Sequence, residues 1–330
     1  MHLENLPRFP LAHLPTPIEA LENLSRELGG PQLLIKRDDQ TGLAFGGNKT
    51  RKLEFLVGQA LAQGADTLVT VGGAQSNHCR QTAAAAAKAG LKCELILNGK
   101  RPEVMNGNPL LFELLGANCH WIEGCPRPTK LRELSKQLRA QGRQPYMIPV
   151  GGSNGVGATG YVVAMQELAG QIINRKLPID RIVFGSSSGG TQAGLLLGAR
   201  VTGFKGQLSG LSIDKDNPEL DSYADQVVQV ANDCADYIRS EIRLTNADVT
   251  VIDGYKGEAN GVIGDRERSA IKLMARCEGI ILDPLYAGRA FGALVELIGQ
   301  GQFQREETVL FWHTGGTPVL FAYANELLQS

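Results

Sequence analysis

The sequence lacks the features that mark secreted, membrane-spanning or nucleic-acid-binding proteins. Its six cysteines are spread over 330 residues without a CxxC pair, which argues against a disulfide framework and a zinc site. No uncharged apolar run approaches the length of a membrane span, and the first residues have neither the basic start nor the apolar core of a leader peptide. The 33 Lys and Arg residues nearly balance the 34 Asp and Glu residues, so no basic face for nucleic acid is predicted. We therefore expect a cytoplasmic protein whose partners are small molecules.

The two nearest cysteines, Cys119 and Cys125, occur with His120 in the segment CHWIEGC. A metal site is one interpretation of these three side chains. The other is a β-strand followed by a turn, which we favour because no CxxC motif accompanies them. We therefore expect no metal ion.

Short β-type runs alternate with longer helical patterns along almost the whole chain. This alternation predicts an α/β architecture with largely parallel sheets. The candidate strands are TLVTVGG, KCELIL, CHWIE, PYMIPV, RIVFG, QLSGLSI, VTVID and ETVLFWH. The helical stretches between them include QTAAAAAKAG, TKLRELSKQLRAQ, ATGYVVAMQELAG, DSYADQVVQVANDCADYI and RSAIKLMARC.

Four glycine-rich polar loops follow candidate strands, namely GGAQSN, GGSNGVG, GSSSGGTQ and HTGGTP. In open α/β sheets, ligands bind beyond the carboxyl ends of the strands. If these four strand ends meet at one crevice, hydroxyl groups, amides and backbone N–H groups line it. Such a lining fits a small anionic ligand.

The loop in RIVFGSSSGGTQAGLLLGAR joins a strand to a helix, so its N–H groups and the positive helix end can bind a phosphate. Ser186, Ser187, Ser188 and Thr191 supply hydroxyl groups. The loop lacks the lysine of a P-loop and the GxGxxG spacing of a dinucleotide site, so it suits one terminal phosphate group. The alternative is a tight strand-to-helix turn that binds nothing.

The segment VGGAQSNHCRQTAAAAAKAG has the same strand-to-helix design, with Ser76, Asn77 and His78 at the helix start. The N-terminus of this helix would attract a carboxylate or a phenolate oxygen. Ser76 or Asn77 also fits the simpler role of an N-cap. The two roles are compatible with each other.

A lysine stands at the start of a third helix, in GLAFGGNKTRKLEFL. The apolar spacing predicts an amphipathic helix from Thr50, which would be its N-cap, so Lys49 would lie just outside the first turn. The polar face of this helix would consist of Arg51, Lys52 and Glu54. Two glycines before Lys49 permit a backbone path closed to other residues. Taken alone, Lys49 is either a solvated surface charge or a reactive amine.

Together, the three motifs offer an amine, a cradle for one phosphate and an amide for a ring oxygen. Pyridoxal phosphate requires this set, because its aldehyde bonds an amine and its phosphate anchors it. Pyridoxal 5'-phosphate is therefore the predicted cofactor.

The chain resembles the fold-type II (tryptophan synthase β-like) pyridoxal-phosphate enzymes. Within them it is most similar to the branch of 1-aminocyclopropane-1-carboxylate deaminase, D-cysteine desulfhydrase and L-cysteate sulfo-lyase. The resemblance covers nearly the whole chain, and its most specific segments are GGNKTRKLE and QSNHCRQ. It implies two open, twisted, mostly parallel sheets with flanking helices. It also implies a larger domain of residues 1–51 and 161–330, a smaller domain of residues 52–160, and a homodimer.

The resemblance also implies a role for each candidate site residue. Lys49 would carry the cofactor as a Schiff base, and Asn77 would face the 3-hydroxyl of the pyridine ring. The phosphate would be bound by Ser187, Ser188, Gly189, Gly190 and Thr191. Ser76, Asn77 and His78 would hold the substrate carboxylate, and Tyr286 would lie over the reacting atoms. Lys49, Ser76 and Tyr286 are the candidates for moving the proton on Cα.

Three positions bear on the choice of reaction within this branch. His78 stands where the deaminases have glutamine, and Ala287 stands where they have a glutamate that faces the pyridine nitrogen. Thr314 matches the hydroxyl that fills this role in the desulfhydrase-like members. A neutral hydroxyl does not favour a protonated ring, so the cofactor is a weaker electron sink. This suits loss of a good β-leaving group better than opening of a cyclopropane ring.

We therefore predict α,β-elimination from a small sulfur-containing amino acid. D-Cysteine is the leading substrate, with pyruvate, ammonia and sulfide as products. L-Cysteine, L-cysteate, a chloro-substituted alanine and 1-aminocyclopropane-1-carboxylate stay open. The segment DGYKGEANGVIGDRERSAIKL departs from the GYGxP pattern of the family, because Tyr255 keeps the aromatic ring but the proline is absent.

Two other functions compete with this prediction. The first is a non-catalytic protein that binds a phosphate ligand through GSSSGGTQ, with Lys49 as a counter-charge. The second is β-replacement, as in cysteine synthesis, although QSNHCRQ stands where those enzymes have an SGNxG-type loop.

Overall fold

The computed structural model describes residues 3–124, 127–258 and 261–329, which form an α/β fold. Its strands are β1 (Ile18–Ala20), β2 (Gln32–Arg37), β3 (Thr67–Gly73), β4 (Lys92–Asn98), β5 (Asn118–Ile122), β6 (Pro145–Met147), β7 (Arg181–Ser186), β8 (Gln207–Ser212), β9 (Val251–Ile252) and β10 (Thr308–His313). Its α-helices are α1 (Glu22–Leu28), α2 (Asn48–Ala62), α3 (Asn77–Ala89), α4 (Asn108–Leu114), α5 (Arg127–Ala140), α6 (Gly155–Arg175), α7 (Gly190–Thr202), α8 (Asn217–Tyr237), α9 (Asp265–Glu278), α10 (Ala287–Gly299), α11 (Pro318–Ala322) and α12 (Ala324–Leu328). Among these described helices, none is both long enough and apolar enough to span a membrane.

The strands form two sheets, as the resemblance implies. The six-stranded sheet has the order β1-β2-β10-β7-β8-β9, and the four-stranded sheet has the order β5-β4-β3-β6. Only the short edge strand β1 is antiparallel to its neighbour among the described strands. Parallel strands place their carboxyl ends at one edge of each sheet, which is where ligands bind in such folds. The predicted α/β class with two mostly parallel sheets is confirmed.

All eight predicted strands are present, and two strands were not predicted. β6 ends at Met147, shortly before Pro149, which has no N–H group for pairing. β1 has only three residues, and the second half of β2 contains Lys36, a charged residue that interrupts its apolar run. Lys36 is nevertheless fully buried, because its amine donates to Glu167 Oε1 at 2.6 Å. Burial of a paired lysine in a strand is a tertiary effect that local pattern does not reveal.

Helices cover both faces of the six-stranded sheet. On one face, Phe184 and Trp312 pack with residues of α6, α7 and α8. On the other face, Val183 and Phe311 pack with residues of α9 and α10. Successive residues of a strand point to opposite faces, so both sides of β7 and β10 are apolar. This double burial explains why their sequences are almost continuously hydrophobic.

The helix that begins next to the predicted reactive lysine is held in place by an unusually close contact and by buried charges. A Cβ atom on Gly160 of α6 would lie 2.3 Å from the carbonyl oxygen of Arg51, so α2 and α6 touch at backbone level. Arg51 Nη2 donates to Asp38 Oδ1 at 2.8 Å and to Glu167 Oε1 at 2.9 Å. Glu54 accepts from Arg8 Nη2 at 2.6 Å. Arg51, Lys52 and Glu54 are all buried, so the predicted polar face of α2 is not exposed to solvent.

The first four residues of the CHWIEGC segment lie in β5, and Glu123 and Gly124 follow in a bend. His120 Nε2 lies 2.7 Å from Glu94 Oε2 on the neighbouring strand β4, so its nearest polar partner is a structural carboxylate. Cys125, which the metal hypothesis includes, lies outside the described residues. The five described cysteines form no disulfide among themselves.

Candidate active site

A cavity of about 450 Å³ is lined by the carboxyl ends of strands from both sheets. All four glycine-rich loops contribute to it, so the prediction that they share one crevice is confirmed. The lining includes most of the predicted site residues, namely Lys49, Ser76, Asn77, His78, Ser187, Ser188, Gly189, Thr191, Tyr286 and Thr314. Gly190 lies next to this lining, as the first residue of α7.

Helix α2 begins two residues earlier than predicted, at Asn48, so Lys49 lies inside the first turn. Gly47 is the N-cap with φ +125°, a conformation that favours glycine, and Asn48 N donates to Thr314 O at 2.9 Å. Thr50 is therefore not the N-cap. Its buried hydroxyl donates to Gln81 Oε1 at 3.1 Å instead.

The amine of Lys49 lies in the cavity wall and donates to Asn48 Oδ1 at 2.9 Å. The pKa of Lys49 is lowered to about 8, mainly by burial and also by the positive charge of Arg80, while the carboxylate of Asp283 acts in the opposite direction. A lysine in water has a pKa of about 10.4. A much larger fraction of Lys49 is therefore neutral near neutral pH, as a nucleophilic amine requires.

The loop after β7 has the geometry of an anion cradle. Gly189 is the N-cap of α7 with φ +80°, and a Cβ atom on Gly190 would lie 2.6 Å from Ser153 Oγ. Gly190 N donates to Ser153 Oγ at 3.1 Å, and Ser153 Oγ donates to Ser188 Oγ at 2.9 Å. The helix N-terminus adds its positive end. The loop therefore presents N–H and O–H groups where a side chain larger than glycine would not fit.

Two hydroxyl groups of this loop have partners within the protein. Ser187 Oγ donates to Asp214 Oδ2 at 2.6 Å, and Thr191 Oγ1 accepts from Asn48 Nδ2 at 3.0 Å. Thr191 keeps its own hydrogen for another acceptor, whereas the hydrogen of Ser187 is already donated. Ser187 would thus contribute to an anion site mainly through its backbone N–H group.

Lys52 is a candidate site residue that sequence reasoning missed, and it contacts Gly151 of the cavity wall without lining the cavity itself. It is 1% exposed, and its Nζ donates to Gly151 O at 3.1 Å and to Ser153 Oγ at 3.4 Å, beside the loop after β7. Burial and the charge of Lys49 place its pKa well below the ordinary lysine value. Within the described part of the chain, no carboxylate forms an ion pair with it. Its position one turn after Lys49 was the available signal, since residues i and i+3 share a helix face.

Ser76 is the N-cap of α3, and its Oγ accepts from Cys79 N at 3.1 Å, as the simpler interpretation predicts. Asn77 is the first residue of this helix. Its Oδ1 accepts from Arg80 Nη1 at 2.5 Å and from Asn108 Nδ2 at 3.0 Å. These two donors fix the orientation of the amide. The Nδ2 group of Asn77 is therefore the end available to a ligand in the cavity.

His78 is buried and lines the cavity, and one nitrogen of its ring is a hydrogen-bond acceptor. Thr70 Oγ1 donates to Ile148 O at 2.9 Å and lies 2.8 Å from His78 Nε2, so Nε2 carries the hydrogen. Burial, Lys49 and Lys52 lower the pKa of His78 well below its ordinary value, which keeps the ring neutral. The Nδ1 atom then has a lone pair without a protein partner among the described residues.

Tyr286 is the N-cap residue of α10 and lines the cavity. Asp283 accepts from the backbone N–H groups of Leu285, Tyr286 and Ala287 at 3.0, 2.9 and 2.8 Å. Burial and the charge of Asp283 raise the pKa of Tyr286, so its hydroxyl stays protonated. Ala287 is buried and offers no polar group to the cavity.

Two other residues of this region have different positions. Tyr255 is buried in the core, with the guanidinium of Arg266 5.0 Å from its ring centre. Arg289, which sequence reasoning missed, lines the cavity but donates to Glu267 Oε1 at 2.8 Å and to Val262 O at 2.7 Å. It therefore fixes the divergent segment around Tyr255 rather than offering a free charge.

A cavity amine with a lowered pKa, an anion cradle at a helix N-terminus and an oriented amide define the site of a pyridoxal-phosphate enzyme. The buried charge of Lys52 and the glycine cradle beside it fit a phosphate, because each needs a small anion next to it. The chain belongs to the pyridoxal-phosphate dependent enzyme family, whose model matches residues 10–315.

The chain is similar to D-cysteine desulfhydrase of Klebsiella pneumoniae (strain 342), with 43% identity over 98% of this chain and 99% of the relative. A crystal structure of an ACC deaminase homologue superposes with a TM-score of 0.90 at 37% identity, covering 99% of this chain and 97% of that one. A fungal L-serine ammonia-lyase from Rhizomucor miehei has a TM-score of 0.71 at 15% identity, covering 96% and 98% of the two chains, and shares the fold. The protein is thus a fold-type II enzyme that uses pyridoxal phosphate.

Proposed function

We propose that this enzyme catalyses α,β-elimination of D-cysteine to pyruvate, ammonia and sulfide, with pyridoxal phosphate held by Lys49. The observation that carries the proposal is the Lys49 amine, which lies in the same cavity as the anion cradle and has a pKa of about 8. The full-length similarity to a D-cysteine desulfhydrase supports the choice of substrate.

Bound pyridoxal phosphate acidifies the proton on Cα of an amino acid, because its ring accepts electrons from that carbon. The protein must hold the ring and exclude water. The hydroxyls of Ser188 and Thr191 and the N–H groups of residues 187–191 other than that of Gly190, which donates to Ser153 Oγ, would bind the phosphate, and Lys52 would supply its counter-charge. Asn77 Nδ2 would donate to the ring oxygen. Thr314 would face the ring nitrogen as a neutral partner.

The candidates for moving the Cα proton differ in what their surroundings allow. Lys49 fits a base best, because its pKa of about 8 leaves a useful neutral fraction near pH 7. Tyr286 fits an acid, because burial keeps its hydroxyl protonated. Ser76 Oγ already accepts a hydrogen bond from Cys79 N, so it is better suited to donate its hydrogen. We therefore assign the proton transfer to Lys49.

The substrate carboxylate would meet N–H and O–H groups at the start of α3, from Ser76 and Asn77. His78 contributes differently from what the resemblance implies, because its ring N–H is donated to Thr70. Its free lone pair suits a donor, such as the substrate ammonium, better than it suits a carboxylate. Tyr286 would lie over the reacting atoms.

Opening of a cyclopropane ring is the second candidate reaction, and it is supported by the similarity to the ACC deaminase homologue. The methyl group of Ala287 at the N-terminus of α10 argues against it, because no carboxylate from that position can stabilise a protonated ring nitrogen. L-Cysteate is a further candidate, since Arg127 lines the cavity and a guanidinium pairs well with a sulfonate.

A substrate panel tests the proposal directly. D-Cysteine, L-cysteine, L-cysteate and 1-aminocyclopropane-1-carboxylate are each incubated with the holoenzyme, and sulfide, sulfite and keto acid are measured. We expect sulfide and pyruvate from D-cysteine at the highest kcat/KM. Release of 2-oxobutanoate from the cyclopropane substrate without sulfide from either cysteine would overturn the proposal. A Lys49→Ala variant controls for reaction of the thiol with free cofactor.

The proposal extends to the organisation of the protein. We propose that residues 52–160 form the smaller domain around the four-stranded sheet, with residues 1–51 and 161–330 forming the larger one. The order of the strands in the two sheets supports this division, and α6 spans the boundary between the two proposed domains. We also propose a cytoplasmic homodimer, and sedimentation analysis of the holoenzyme tests the dimer.

A further inference from the structure

Arg80 on α3 is a buried guanidinium to which the proposed reaction gives no role. Its exposed fraction is 0%. Its Nη1 donates to Asn77 Oδ1 at 2.5 Å and to Asn108 Oδ1 at 2.8 Å, and its Nη2 donates to Gly46 O at 2.9 Å. One cation therefore connects the start of α3, the start of α4 and the loop that leads to Lys49.

These contacts determine which end of the Asn77 amide faces the cavity. Asn108 Nδ2 donates both to Asn77 Oδ1 at 3.0 Å and to Gln75 O at 2.9 Å, so its own orientation is fixed as well. With two donors on Oδ1, a flipped Asn77 amide would place its N–H groups against those of Arg80 and Asn108. Such a flip is excluded, because donors would then face donors and both hydrogen bonds to Asn77 Oδ1 would be lost.

The charge of Arg80 has no direct counter-charge in the described part of the protein. The carboxylate of Asp283 stabilises it from a distance, but burial prevails and lowers the pKa of Arg80 to about 10. The Nε atom of Arg80 is buried without a partner among the described residues. A buried cation without a direct counter-charge is stabilised by an anion bound nearby. The phenolate oxygen of the cofactor is the anion that Asn77 would bind.

We propose that Arg80 is a positioning residue for the cofactor, which presents the Asn77 N–H groups to the ring oxygen and through them favours the ionised form of that oxygen. The proposal rests on the proposed role of Asn77, and it is independent of which amino acid is the substrate. A hydrogen bond from a neutral amide to a charged oxygen is worth enough to change affinity by about tenfold to a hundredfold.

Titration of cofactor-free protein with pyridoxal phosphate tests this role, with the visible absorption of the bound cofactor as the signal. Asn77→Ala and Arg80→Met are each expected to weaken binding by about tenfold to a hundredfold. The double variant is expected to bind within about twofold of the weaker single variant, because Arg80 acts through Asn77. Arg80→Lys keeps the charge but cannot reach three acceptors, so we expect an intermediate loss.

Arg143→Met is the matched control. Arg143 donates to Asp66 Oδ2 at 3.0 Å and does not line the cavity, so wild-type affinity is expected. Thermal unfolding shows which variants are folded. If Arg80→Met does not fold, Arg80→Lys replaces it, since this change keeps the buried charge and removes the guanidinium fork that holds Asn77.

Additive losses in the double variant, or wild-type affinity in a folded Arg80→Met protein, would overturn the proposal. Where Arg80→Lys replaces it, wild-type affinity in a folded Arg80→Lys protein would also overturn the proposal. A wild-type enzyme that binds the cofactor but releases no sulfide from D-cysteine would overturn the proposed substrate alone.

Discussion

Replacement of Lys52 by methionine should weaken binding of the cofactor and stabilise the cofactor-free protein. Lys52 is buried beside the loop after β7, and its Nζ lies 3.4 Å from Ser153 Oγ, which itself accepts from Gly190 N. Without a phosphate, its charge is buried with no carboxylate to pair with in the described part of the chain. With a phosphate, the same charge would be neutralised. Methionine has a similar length and no charge.

The two effects have opposite signs. Loss of a charged hydrogen bond to the phosphate should weaken cofactor binding by about 1.5–3 kcal/mol, or roughly tenfold to a hundredfold. Removal of an unpaired buried charge should raise the free energy of unfolding of the cofactor-free protein by about 1–2 kcal/mol. The pKa of Lys52 is lowered in the folded state, so the unfolded chain binds more protons and stability of the wild type rises with pH toward 10.5. The free energy of unfolding of Lys52→Met should rise less steeply with pH.

Two measurements check this prediction. Urea unfolding of cofactor-free wild type and Lys52→Met gives the free energies, and titration with pyridoxal phosphate gives the affinities. Lys88→Met is the control, because Lys88 is an exposed lysine near the end of α3 and should change neither quantity. A variant that loses stability and keeps its affinity would refute the assignment of Lys52 to the phosphate.

Three further predictions concern other parts of the site. The rate of cofactor uptake by the empty protein should rise about tenfold per pH unit below pH 8 and level off above pH 8, because only the neutral Lys49 amine reacts. Stopped-flow absorbance measures this rate. A rise that continues toward the ordinary lysine pKa would contradict the prediction. Gly160→Ala should lower the free energy of unfolding by about 1–3 kcal/mol, since its Cβ would lie 2.3 Å from Arg51 O. Gly299→Ala is the control and should be neutral or stabilising, because a Cβ there has nothing within 4 Å. Urea unfolding measures both free energies. Ser187→Ala should weaken cofactor binding less than Ser188→Ala in the same titration, because Ser187 donates its hydrogen to Asp214; the reverse order would count against this.

The sheets and the glycine-rich loops could be predicted because their signals are local. Alternation of short apolar runs with helical patterns defines an α/β fold, and polar glycine loops after strands mark one edge of each sheet. Lys49 could be selected because its neighbours Gly46 and Gly47 predict an unusual backbone, and the structure gives them φ values of +65° and +125°.

Lys52 and Arg80 were not selected, because a charged residue on an amphipathic helix is normally solvated. Their burial depends on segments far away in the chain, such as the loop around Gly151 for Lys52 and the loop at Gly46 for Arg80. The start of α2 was misplaced for a similar reason. A threonine before an apolar run is a good N-cap signal, but the contact between Asn48 N and Thr314 O outweighs it.

The buried charges of α2 also bear on how the enzyme is assembled. Arg51 needs Asp38 and Glu167, and Glu54 needs the backbone N–H groups of Leu11 and Ala12, so their partners come from both sides of α2 along the chain. A fragment that contains only the smaller sheet and α2 would expose these ions without their partners. We therefore expect the Lys49 amine to reach its position in the cavity wall late in folding, after the N-terminal segment and α6 have docked. Cofactor binding would then follow the docking of these segments.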